Sequence, residues 1–199
     1  DVYKRQLSYK SWIEAMDNFQ DSTGGNPQGG VIVFASGNDT SESDVSYLGA
    51  LPLLHTELAE AWLSVGMVEI TGSSLDSSGI SLKGNKCGSA KEFCLVTDGF
   101  QIRTAAQHIG SGSFYNVSVS GSSFSAPMVT GALALLSQAF PNHTSEQLVD
   151  RLLASANNSW FTPAGNTTFT THGASVKHGY HSTWGHGVPD LEKALSPIV

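Results

Sequence analysis

"VIVFASGND" occupies residues 31–39, and its first six letters form an unbroken apolar run rich in β-branched side chains. The run lacks the alternation of a half-exposed strand, so it predicts a strand buried on both faces, as in a parallel sheet covered by helices. Upstream, "LSYKSWIEAMDNF" (7–19) spaces Leu7, Trp12, Ile13, Met16 and Phe19 near 3.6 residues, the signature of an amphipathic helix. The turn-rich "DSTGGNPQGG" (21–30) joins the two. A helix followed by a buried strand predicts an α/β fold. "GND" then breaks the strand at its C-terminal end, where open α/β sheets keep their ligands.

The same pattern continues downstream. Residues 39–60 read as irregular, with a short helical "TELAEAW", and "WLSVGMVEI" (62–70) as a second buried strand. "FCLVTDG" (93–99) reads as a third strand, followed by a Gly/Ser loop, "GSGSFYNVSVSG" (110–121). In "GSSFSAPMVTGALALL" (121–136) serines and a proline crowd against an apolar stretch. Serine is poor inside a helix and good at its start, and proline is tolerated in the first turn, so a buried helix is expected from about 124 to 140. Thr144 with Gln147 forms a capping box for a second helix, and Asp190 starts a short last one. Residues 157–183 read as an extended polar loop or hairpin, and no internal repeat occurs.

A chain of 199 residues with 40% hydrophobic content can bury one core, so residues 1–199 are read as a single domain. Ten Lys and Arg against 17 Asp and Glu, with a net charge of −7 and no basic stripe, argue against a nucleic-acid partner. No apolar run reaches the roughly 18 residues of a membrane span, and the N-terminus lacks a signal-peptide layout. The chain is then either intracellular or part of a longer secreted protein. Cys87 and Cys94 are too far apart for a zinc knuckle. Two readings stay open: a small disulfide loop, which places the protein outside the reducing cytosol, or two half-buried free thiols.

Chemistry concentrates at Ser123. A serine at a helix N-terminus has backbone N–H groups and the positive dipole end beside it, which suits a tetrahedral oxyanion. Asn38, where the "VIVFAS" strand ends, has a side-chain N–H that can donate into the same hole.

On these residues the chain resembles the subtilisin-like serine proteases. "GSSFSAP" looks like their G-T-S-M-A-A-P nucleophile motif and "VIVFASGND" like the strand ending in A-A-G-N that carries the oxyanion asparagine. "LVTDGFQIRTA" is similar to the segment reading A-P-G, with Asp98 in place of the proline, which implies an altered turn. "WGHGVPDLEKAL" is similar to the family's closing glycine-aspartate turn and helix. "GNKCGSAKEFCL" looks most like a segment of bacterial autotransporter subtilases. The resemblance spans about residues 10–195.

It implies a three-layer α/β fold with a mainly parallel sheet and serine endopeptidase activity through an acyl-enzyme. Ser123 would be the nucleophile, Asn38 and the Ser123 N–H the oxyanion donors, and Ser122 would offer a further hydroxyl. Ala35, Ser36 and Gly37 would line one wall of the substrate pocket. The implied partner is a peptide or protein substrate, the implied location secreted or cell-surface, with an autotransporter barrel downstream. No cofactor is expected, and calcium stays open because no Asp-rich loop has calcium-ligand spacing.

The departures are equally specific. The family orders its triad Asp, His, Ser, yet the 37 residues before Asn38 contain no histidine, and Asp17 and Asp21 lack the D-[ST]-G context. The N-terminal part of the domain is therefore expected to be missing, so that this chain alone would be inactive, and "DVYKRQ" (1–6) is set aside as a candidate junction. His55, His108 and His143 stand in the wrong contexts for a base. His172, His178, His181 and His186 cluster late in the chain, where a metal site is conceivable, but they read as solvated imidazoles of a polar loop because no carboxylate or cysteine shares a ligand-like spacing. Two rival functions remain: a non-catalytic scaffold of the same fold, and an esterase, although the latter wants glycine where Ser125 stands.

Overall fold

The computed structural model describes residues 2–21, 28–72, 75–105, 115–170, 173 and 175–197. His108, His172, most of the connection after the first helix (22–27) and residues 106–114, which include the first part of the Gly/Ser loop, lie outside them.

Helix α1 (Val2–Gln20) leads into strand β1 (Ile32–Ala35). The centre of the main sheet is β2 (Trp62–Ile70), whose first seven residues are fully buried. β1 runs parallel to it, pairing Ile32 with Trp62 through Ala35 with Val65. β4 (Cys94–Asp98) runs parallel along the other edge, pairing Ser64 with Cys94 through Val68 with Asp98. β3 (Ile80–Leu82) closes the far end of β2 antiparallel. The expected mainly parallel sheet is therefore present. Its first strand departs from expectation, since every residue of β1 is half-buried. Among the described residues β1 pairs with β2 alone, which makes it an edge strand there.

The two-residue period of the strands sorts side chains into layers. Leu63 and Val65 of β2 and Leu95 of β4 face helix α2 (Ser122–Ala139), meeting Val129, Ala132, Leu133 and Leu136. Helix α3 (Ser145–Ser155) adds Leu148, Val149, Leu152 and Leu153 to this core. The opposite face turns Trp62, Ile32 and Phe34 toward Ile13 and Met16 of α1, with Phe34 stacked on Trp62. Helices on both faces make three layers. A third cluster gathers Val68, Ile80 and Val96 around Cys87 and Cys94, which form a disulfide. The capping box is formed at Thr144 and Gln147, and Asp190 caps α4 (Leu191–Leu195).

Three expectations need correction. "TELAEAW" contributes one 3₁₀ turn, Thr56–Leu58, before β2 takes over at Trp62. The Gly/Ser loop contains a strand, β6 (Tyr115–Val119), antiparallel to β5 (Ile102–Ala105). α2 begins at Ser122, so Pro127 falls in its second turn rather than its first. Farther on, β7 (Gly165–Phe169) and β8 (Val176–Tyr180) make the hairpin foreseen as one option for 157–183. Among the described residues no helix is long and apolar enough to cross a membrane.

Candidate active site

The ladder of β1 extends one residue beyond the strand, with the Ser36 N–H donating to Val65 O at 2.9 Å. Gly37 then takes a φ of +118°, a left-handed conformation that glycine adopts without cost. This turn aims the Asn38 side chain at the start of α2. The Ser122 backbone N–H donates to Asn38 Oδ1 at 2.7 Å, and the Ser122 hydroxyl donates to the same oxygen at 2.9 Å. A backbone N–H can only donate, so the amide oxygen must face Ser122 and the Nδ2 group must point away from it. The Gly37 N–H in turn donates to Ser122 Oγ at 3.2 Å. Ser122 is thus a buried bridge, 1% exposed, and its hydroxyl is committed to Asn38.

Ser123, the next residue, is exposed on the first turn of α2. The first N–H groups of a helix have no intrahelical acceptor. Here Ser122 gives its N–H to Asn38 and Phe124 gives its own to Gly121 O at 2.9 Å, with the Ser123 N–H between them. Pro127 stands four residues on and removes the donor that would meet the Ser123 carbonyl. The Gly121 N–H donates to Gly99 O at 2.9 Å, and Ser125 Oγ donates to Thr97 O at 3.2 Å. The helix start is therefore fastened to the ends of both β1 and β4. A Cβ at Gly99 would lie 2.3 Å from Ser125 Oγ, so that approach requires glycine.

Of the proposed pocket wall, Ala35 and Gly37 are half-buried and Ser36 is buried, its hydroxyl facing Gly37 O and Asn85 O. Asp98 uses its carboxylate to accept the Phe100 N–H at 3.2 Å, the role of a turn residue. Beside Asn38, Asp39 is held below the ordinary carboxylate range by the hydroxyl and then the N–H of Ser41.

No histidine or carboxylate among the described residues hydrogen-bonds Ser123. His55 instead pairs with Glu57 at 3.4 Å and lies against Tyr9, and His143 lies against Phe140. The late histidines are not all solvated, contrary to expectation. His186 is 0% exposed, with Nδ1 2.9 Å from Nδ1 of His178 and Nε2 3.1 Å from Glu92 O, while His178 Nε2 sits 2.8 Å from Ala156 O. Chain folding, not local polarity, buries His186: the turn at 181–187 packs on the disulfide-closed segment, with the His186 N–H donating to Cys94 O at 2.9 Å.

Asn85 escaped the sequence reading although it touches the loop around Asn38. A lone asparagine in "GNKC" looks like any turn residue. Gly84 beside it was a faint signal, since a Cβ there would fall 2.5 Å from Gly37 O.

Comparison with known proteins gives this fold its relatives. The chain is 28% identical over 169 residues to "Serotype-specific antigen 1" of Mannheimia haemolytica, covering 83% of this chain and 16% of that protein. It is similar in fold to the structure titled "Structural basis of subtilase cytotoxin SubAB assembly", with TM-score 0.57, 19% identity and coverage of 94% of this chain and 53% of that one. It is similar as well to fervidolysin from Fervidobacterium pennivorans, a keratinolytic enzyme related to subtilisin, with TM-score 0.53, 23% identity and coverage of 84% and 22%. The chain thus spans about half or less of the length of these relatives. The family model for subtilases matches residues 4–187, and on that match the chain belongs to the subtilase family.

Proposed function

We propose that this chain is the nucleophile-bearing part of a serine endopeptidase, with Ser123 as nucleophile and Asn38 and the Ser123 N–H as oxyanion donors. One observation carries the reading: both hydrogen bonds from Ser122 go to Asn38 Oδ1, which turns the amide donor outward in a fixed orientation. A donor held before the reaction costs no reorganisation when charge develops on the substrate oxygen. In the reaction Ser123 Oγ bonds to the scissile carbonyl carbon as a base takes its proton. The C–N bond then breaks with that proton delivered to the leaving amine, and water hydrolyses the ester. Ala35, Ser36 and Gly37 form one wall of the cleft, mainly by backbone. Among the described residues no base hydrogen-bonds Ser123, so on this reading the base and its orienting carboxylate are supplied from elsewhere in the whole protein, and the chain alone is expected to be inactive.

A secreted or surface location fits the Cys87–Cys94 disulfide, because such bonds persist in oxidising compartments. The likeness of residues 84–95 to autotransporter subtilases supports a β-barrel downstream in the whole protein.

The test is labelling of the full-length protein with a fluorophosphonate, alongside cleavage of a peptide anilide. Ser123→Ala should abolish both, and this chain alone should show neither. Cleavage that survives Ser123→Ala would sink the assignment, and a full-length protein without labelling or cleavage would favour the scaffold.

A further inference from the structure

We infer that Asn85 is a positioning residue for the oxyanion donor, acting through the two peptide units that flank Asn38; the inference rests on the role proposed for Asn38 above. Asn85 is 7% exposed and spends its polar atoms on the residues around Asn38. Its backbone N–H donates to Gly37 O at 3.1 Å, on one side of Asn38. Its Oδ1 accepts the Asp39 N–H at 2.9 Å, on the other side. Its Nδ2 donates to Asp44 O at 2.9 Å, closing the loop back on itself.

The clamp is braced from behind. Asp44 Oδ1 accepts the Ser89 N–H at 2.9 Å and the Ser89 hydroxyl at 2.8 Å, and Ser89 lies inside the loop closed by the Cys87–Cys94 disulfide. Gly37 is packed so closely on Asn85 that a Cβ there would lie 2.4 Å from Asn85 Oδ1. Asn38 itself is exposed and at the end of its strand, so its main chain depends on this support. Ser122 fixes which way the amide faces, and Asn85 fixes where the amide stands. Misplacement by about 1 Å is enough to cost up to about 10²-fold in rate.

A kinetic cycle in the full-length protein tests this, with peptide p-nitroanilide as substrate and active sites counted by fluorophosphonate titration. Asn38→Ala should lower kcat by about 10² to 10³-fold, the effect of losing one such donor in subtilisin. Asn85→Ala should lower kcat by about tenfold or more with KM within about twofold, and the same change added to Asn38→Ala should alter kcat by less than about twofold. Asn85→Asp keeps the acceptor for the Asp39 N–H and should show a smaller loss that also vanishes in the Asn38→Ala background. It replaces Asn85→Ala in the cycle if that variant does not fold. A kcat loss of equal factor in both backgrounds, or none in the wild-type background, overturns the clamp while leaving the oxyanion role of Asn38 standing. An Asn38→Ala enzyme with unchanged kcat overturns both.

Discussion

Gly37 shows how much of the site hangs on single residues. Its φ of +118° is open to glycine and strained for any L side chain, and a Cβ there would meet Asn85 Oδ1 at 2.4 Å. Gly37→Ala should therefore cost about 1–3 kcal/mol, read as a lowered midpoint in thermal unfolding, and should reduce kcat along with it. An unchanged midpoint would mean that the turn relaxes freely. At this scale Asn38 and Ser123 stood out as candidates because each sits in a local pattern, a strand stop and a helix start. Asn85 did not, because its importance lies in contacts with residues 41 and more positions away that no local pattern encodes.

At the scale of elements, local chemistry wrote the helix ends more plainly than the strands. Thr144 accepts the Gln147 N–H at 3.2 Å while Gln147 Oε1 accepts the Thr144 N–H at 3.0 Å, as the spacing predicts. Thr144→Ala should destabilise the protein by about 1 kcal/mol in urea unfolding without altering the denaturant slope. A loss under a few tenths would show that tertiary packing alone holds α3. β6 was hidden for a compositional reason: Tyr115, Val117 and Val119 alternate with Asn and Ser, a two-residue period that neighbouring Gly and Ser obscured. β1 read as buried because its composition suits a central strand, whereas burial depends on neighbours along both edges.

Across the whole molecule the paired histidines set an acid limit. Burial, and then the nearby His178, push His186 down to about 3, and burial also lowers His178. Folded values below the unfolded one mean that the neutral forms favour the fold. Their contribution is complete above about pH 6.5 and is lost as pH falls from there toward 3. The thermal midpoint should drop between pH 6.5 and 5, and His186→Phe should flatten that slope; an equal slope in the variant would assign the loss elsewhere. The bond from Ser122 to Asn38 joins residues 84 positions apart, with β2 and β4 formed from the chain between them. Contacts of such separation are slow to form, because loop closure has to precede them. During synthesis Asn38 emerges long before its partner, so a ribosome-bound chain that ends short of Ser122 holds no assembled oxyanion hole. Under the proposed role for Asn38, the nascent chain stays without that donor's anchor until translation has passed Ser122.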